Sequence, residues 1–144
     1  MSPPSGTIVR LRDHWHAQGL KFNDPLSQND LTDFTSCTGI HLPADFEEYV
    51  LHINGLREWD ESLFNFPDFR ESSISVVTRS AKNIVIADYL ISSAVFVMSV
   101  DPASHFGDML HIDGLSIHAK VKSLFSFFEA YMADPMSLIV GEAP

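Results

Sequence analysis

Seven histidines are the first residues in this chain that could do chemistry, and their spacing argues against a metal centre. His14 and His16 are two apart, which on a helix turns them about 200° away from each other, whereas zinc-binding helices use i and i+4. His105, His111 and His118 follow at longer intervals without cysteine partners. His111 and His118 fall in a predicted hairpin, where they read as polar residues of the outer face. Cys37 is the single cysteine, so no intramolecular disulfide can form, and no basic neighbour lowers its pKa toward a nucleophilic thiolate. The carboxylate pairs Asp60/Glu61, Asp68/Glu71 and Asp101/Asp108 are the material of acid–base catalysis, but an acidic chain supplies such pairs by chance. Gly-x-Ser-x-Gly, Gly-x-x-x-x-Gly-Lys and Gly-x-Gly-x-x-Gly are all absent. The chain is expected not to be an enzyme and to use neither metal nor cofactor.

Binding chemistry is better represented. Nineteen acidic residues against nine basic ones give a formal charge of −10, which opposes contact with nucleic-acid phosphates. Such a surface either serves solubility or draws in a basic protein, and steering of that kind raises association rates by about 10- to 1000-fold at low salt. Trp59 lies in the polar run Arg57-Glu58-Trp59-Asp60-Glu61. It is either a lid over the end of the core or a binding hot spot, a role in which tryptophan is enriched. The expected partner-binding residues are Glu58, Trp59, Asp60, Glu61, Asp68, Glu71, Asp101 and Asp108, grouped on two loops from Glu58 to Glu71 and from Asp101 to Asp113.

The elements that must position these residues fit one domain over 1–144, whose 45% hydrophobic content suffices for a core. Ile8, Leu11 and Trp15 share one helical face before Gly19. Ser27 to Asp30 reads as a capping box ahead of Leu31 and Phe34, with Gly39 closing that helix. Candidate strands are Leu63–Phe66, Ile74–Thr78, Asn83–Tyr89, Ala94–Val100, Met109–Ile112 and Leu115–Ala119, with Asp113-Gly114 as a two-residue hairpin turn. Ser123 caps a closing helix, apolar on most sides, that Asp134-Pro135 stops. Strands clustered between helices predict an α+β fold with a mostly antiparallel sheet of about five or six strands. The start of the chain lacks the pattern of a secretory signal, and Ile84–Val100 is too short and too broken for a membrane span, so a cytoplasmic protein is expected.

One further helix is the best specified. Pro43 suits its first position, Asp45, Glu47 and Glu48 suit its positive end, and Phe46, Tyr49, Val50 and Ile53 form one stripe. Asn54-Gly55 ends it with residues that tolerate left-handed backbone, and Leu56 can fold back onto the stripe. Leu42, Pro43, Asp45, Phe46, Tyr49, Val50, Leu51, Asn54 and Gly55 together resemble the signature of the SUKH superfamily, the Smi/Knr-like domain. Phe34, Gly39-Ile40, Ile86-Ala87-Asp88-Tyr89, Ala94–Met98 and the Ser123–Pro135 helix stand in that family's order, so the resemblance spans about 31–135. Thr35 stands where members often carry Glu, which removes any role of that carboxylate.

The resemblance implies the same α+β architecture, with Leu42, Pro43, Asp45, Phe46, Tyr49, Asn54, Gly55 and Asp88 mainly structural. For bacterial members it implies an immunity protein that binds and blocks a cognate toxin domain, many of which are nucleases with basic clefts. The fungal branch implies instead a regulatory adaptor for cellular proteins. A small-ligand-binding module is the third reading.

Overall fold

The computed structural model describes residues 4–70, 74–76, 82–89, 94–103, 106–113 and 116–140. Three helices come first: α1 (Gly6–Ala17), α2 (Gln28–Thr38) and α3 (Ala44–His52). Strands β1 (Phe64–Asn65), β2 (Ile74–Val76), β3 (Lys82–Tyr89), β4 (Ala94–Ser99), β5 (Met109–Asp113) and β6 (Ser116–Val121) follow, then α4 (Leu124–Ala133) and α5 (Met136–Val140). The fold is α+β, and its sheet is antiparallel throughout the described residues.

The four longer strands, β3 to β6, form a meander, and the two short ones pair with opposite ends of β3. Asp113 is the last residue of β5, paired with Ser116, so it belongs to the strand and not to the turn expected there. Gly114 and Leu115 lie outside the described residues. The run of apolar residues in β4 has a physical cause. Phe96 and Met98 join the main core, while Val97, facing the other way, is buried outside it. A strand buried on both faces reads as continuous rather than alternating hydrophobicity.

The helix ends follow local chemistry. Ser27 and Asp30 make a reciprocal capping box on α2, and Gly39 ends that helix at φ +72°. Pro43 is the residue before α3 rather than its first turn, with extended backbone. Asp45 and Glu47 lie in the first turn of α3, as expected, and two of the helix's three acidic residues also serve neighbouring helices. Asp45 Oδ2 accepts from the backbone N–H of Leu124 at 3.1 Å, at the start of α4, and Glu48 accepts from the N–H of Ser5, the N-cap of α1.

The stripe Phe46, Tyr49, Val50 and Ile53 is buried, and so is Trp15. An aromatic core gathers around them. Trp15 lies 4.9 Å from Phe66, Phe66 5.1 Å from Tyr131, and Tyr49 4.8 Å from Phe128 by ring centroids. Such pairs add about 0.5–1.5 kcal/mol each beyond the area they bury.

Asn54 and Gly55 are the joint from which the next loop departs. Asn54 has φ +61° and no exposed surface. Its Nδ2 donates to Asp24 O at 3.0 Å and Asp68 Oδ1 at 2.7 Å, and its Oδ1 accepts from Phe69 N at 2.9 Å. At Gly55, φ is +85° and a Cβ would stand 2.3 Å from the carbonyl oxygen of Phe66, a distance no side chain accommodates. Only glycine fits there.

Candidate protein-binding loop

The segment from Arg57 to Phe64 leaves that joint and crosses to the sheet. Its backbone is stapled to the turn after α1: Arg57 N donates to Lys21 O at 2.9 Å, Lys21 N donates to Glu58 Oε2 at 2.9 Å, and Glu61 N donates to Gln18 Oε1 at 3.1 Å. Arg57 Nε donates to Phe22 O at 2.9 Å. The loop then closes on itself, with Asp60 N donating to Phe64 O at 3.0 Å and Leu63 N donating to Asp60 O at 3.0 Å.

Asp60 is the internal post of this loop. It is 3% exposed. Its Oδ1 accepts from Ser62 N at 2.8 Å and Phe64 N at 2.9 Å, and its Oδ2 accepts from the Tyr131 hydroxyl. Tyr131 in turn accepts from Trp15 Nε1 at 2.8 Å. Burial, and then the adjacent Asp60 carboxylate, push the Tyr131 phenol well above its ordinary range, which keeps it a neutral donor.

What the loop shows to solvent is Arg57, Glu58, Trp59, Glu61 and Leu63. Trp59 is 39% and Leu63 47% exposed, two of the largest apolar side chains left uncovered among the described residues. Trp59 is thus partly open to solvent, with exposed Glu58 just before it and exposed Glu61 two residues after it.

The other expected contact residues divide differently. Asp60 does not face a partner, for the reason just given. Asp68 is committed to Asn54 and to Arg70, whose Nη1 lies 3.1 Å from Asp68 Oδ2. Asp108 is 8% exposed, with Lys122 Nζ at 3.6 Å. Asp101 is half-buried and accepts from Ala103 N at 2.9 Å. Glu71 lies outside the described residues. Among the described residues the exposed carboxylates of the expected two-loop face are Glu58, which also accepts from Lys21 N, and Glu61.

Leu63 is the functional candidate that sequence reasoning missed. It was assigned to the strand that begins at Phe64, and no local signal marks an exposed leucine with left-handed backbone. Among the signature residues, Asp88 pairs in register with Asn65 and Val95, and its Oδ1 is buried without a hydrogen-bond partner among the described residues.

Other chemistry is sparse. No group of three metal-capable side chains occurs among the described residues. His14 meets Tyr131 edge to face while His16 meets Phe22, so the pair diverges; His105 lies outside the described residues. Cys37 is exposed and free. A groove of about 390 Å³ is floored by Leu26, Phe34 and Phe69 beside Asp33 and Arg70, within the size range of small-molecule sites. Its cation is already spent: Arg70 bonds Asp68 and the carbonyls of Asp24 and Pro25. No helix among the described residues is long and apolar enough to cross a membrane.

No protein-family model matches this chain, and no curated protein matches it. The class that the fold and the loop define is an α+β protein presenting an acidic loop with exposed apolar side chains.

Proposed function

We propose that this chain is a non-catalytic protein-binding module of the Smi/Knr-like kind, an immunity protein that captures a basic toxin domain in the cytoplasm and blocks it. The observation that carries the reading is Trp59, exposed between Glu58 and Glu61 on a loop stapled at both ends. An exposed aromatic side chain with two exposed carboxylates near it in the loop suits an apolar recess edged by Lys or Arg, the surface of a cleft that holds phosphates. Close interfacial charge pairs contribute about 1.5–7 kcal/mol of coupling in well-studied inhibitor complexes. The net charge of −10 adds long-range attraction to such a partner and repulsion from its nucleic-acid substrate.

The test is capture from the host lysate at low and moderate salt, followed by reconstitution with the purified retained protein. The expected partner is the carboxy-terminal domain of a large exported protein, whose toxicity this chain suppresses. Trp59→Ala should weaken binding by about 30-fold or more, the scale of a hot-spot truncation. Reversing Glu58 and Glu61 to Lys should slow association and flatten its salt dependence. Recovery of regulatory proteins alone, with no toxin suppressed, would replace this reading with the adaptor one.

A further inference from the structure

Leu63 has φ +70°, a conformation that L residues other than asparagine and aspartate seldom adopt, and the residue is 47% exposed. A bulky apolar residue gains nothing for the fold by facing water in strained backbone. Such strain persists only where the surroundings enforce it, and it concentrates where a chain is shaped for a task. Here the enforcement is visible. Asp60 takes the N–H groups of the residues on either side of Leu63, at 2.8 Å from Ser62 and 2.9 Å from Phe64, while its own carbonyl accepts from Leu63 N at 3.0 Å. The Tyr131 hydroxyl, itself held by Trp15, fixes the Asp60 carboxylate from below.

We infer that Leu63 is a second apolar anchor of the same recognition loop, and that Asp60 and Tyr131 are positioning residues that hold it, with Trp59, in a pre-set shape. The inference rests on the protein-binding reading above and narrows it. A loop fixed before contact loses little conformational entropy on binding, so it fits a partner whose cleft is already formed: an apolar recess for Trp59 and Leu63, with basic residues facing Glu58 and Glu61.

Three variants test this in the intact protein. Leu63→Gly removes the side chain and the strain, and should raise the folding equilibrium constant about threefold to tenfold in urea titrations. Leu63→Ala keeps a Cβ in the same backbone and should not. Tyr131→Phe should accelerate amide exchange at Ser62 and Phe64 by about tenfold or more beyond any change elsewhere; a merely structural role would speed exchange evenly across the core. In the reconstituted assay, Leu63→Gly should weaken binding about tenfold despite its greater stability. Equal stability of the Gly and Ala variants, or uniform exchange in Tyr131→Phe, overturns the positioning argument. Undiminished binding by Leu63→Gly overturns the anchor while leaving the Trp59 reading intact, and loss of binding in neither Leu63→Gly nor Trp59→Ala overturns both.

Discussion

Asp45 Oδ2 lies 3.1 Å from the backbone nitrogen of Leu124, so the signature helix caps a helix that begins 79 residues further along the chain. The same oxygen stands 3.4 Å from Phe125 N, and Ser123 caps the helix through Ser126 N at 3.1 Å. Two unsatisfied N–H groups and the positive end of α4 thereby acquire a fixed anion.

Asp45→Ala should therefore cost about 1 kcal/mol of stability, the scale of a lost helix cap, although Asp45 lies outside the capped helix. Asp45→Asn keeps an acceptor and should lose less, through the charge alone. Urea denaturation of the two variants measures both steps.

The Asn54-Gly55 joint should tolerate almost nothing. In Gly55→Ala the new Cβ meets two backbone carbonyl oxygens, Phe66 O at 2.3 Å and Pro67 O at 2.7 Å, at φ +85°. The loop must move to admit it, so a loss above about 4 kcal/mol and failure to fold at 37 °C are expected. Asn54→Ala removes three hydrogen bonds and takes from Phe69 N its acceptor, while Arg70 still serves Asp24 O and Asp68 Oδ1, and should cost about 2–4 kcal/mol. Thermal melts of the two variants measure how much of the fold depends on this joint.

Tyr49 and Tyr131 set the behaviour at high pH. Burial raises both phenols far above the ordinary value of 10.0, aided at Tyr49 by the Asp68 charge and at Tyr131 by Asp60. The folded protein therefore keeps two protons that the unfolded chain releases. Their contribution is whole below pH 10 and is lost as pH rises toward the folded values, at up to about 2.7 kcal/mol per pH unit for two protons. Urea titrations at pH 9, 10 and 11 should show this fall, and Tyr49→Phe should halve it.

The Tyr49 hydroxyl is buried without a hydrogen-bond partner among the described residues. At pH 7 Tyr49→Phe should thus be neutral or stabilising by up to about 1 kcal/mol, since it removes an unpaired polar group. A loss above 1 kcal/mol would reveal a partner for that hydroxyl.

Cys37 is exposed on the last turn of α2, so a thiol reagent should modify the native protein once per chain. Its alkylation should leave the melting temperature within about 2 °C, since exposed substitutions away from packed features stay within roughly ±0.5 kcal/mol.

Much of this architecture was legible in local chemistry. The Ser27–Asp30 capping box, Gly39, the Ser123 cap and the stripe Phe46–Tyr49–Val50–Ile53 all stand where their residue types put them, because each is decided by neighbours within a turn or two. The six predicted strands fall within a few residues of β1 to β6 for the same reason; α5, only five residues long, had no comparable signal.

The acidic residues were not legible in this way. Asp45, Asp60, Asp68, Asp108 and Glu61 are alike as carboxylates in the sequence, yet of these five only Glu61 is exposed. Whether a carboxylate turns inward depends on which N–H groups and hydroxyls the fold brings to it: Tyr131 reaches Asp60 across 71 residues, and Leu124 reaches Asp45 across 79. Residue types and short-range periodicity thus determined where the helices, strands and caps lie. Only tertiary structure decided which charges are posts inside the molecule and which, with Trp59 and Leu63, stay exposed, because burial and hydrogen bonding of a side chain are set by residues remote in the chain.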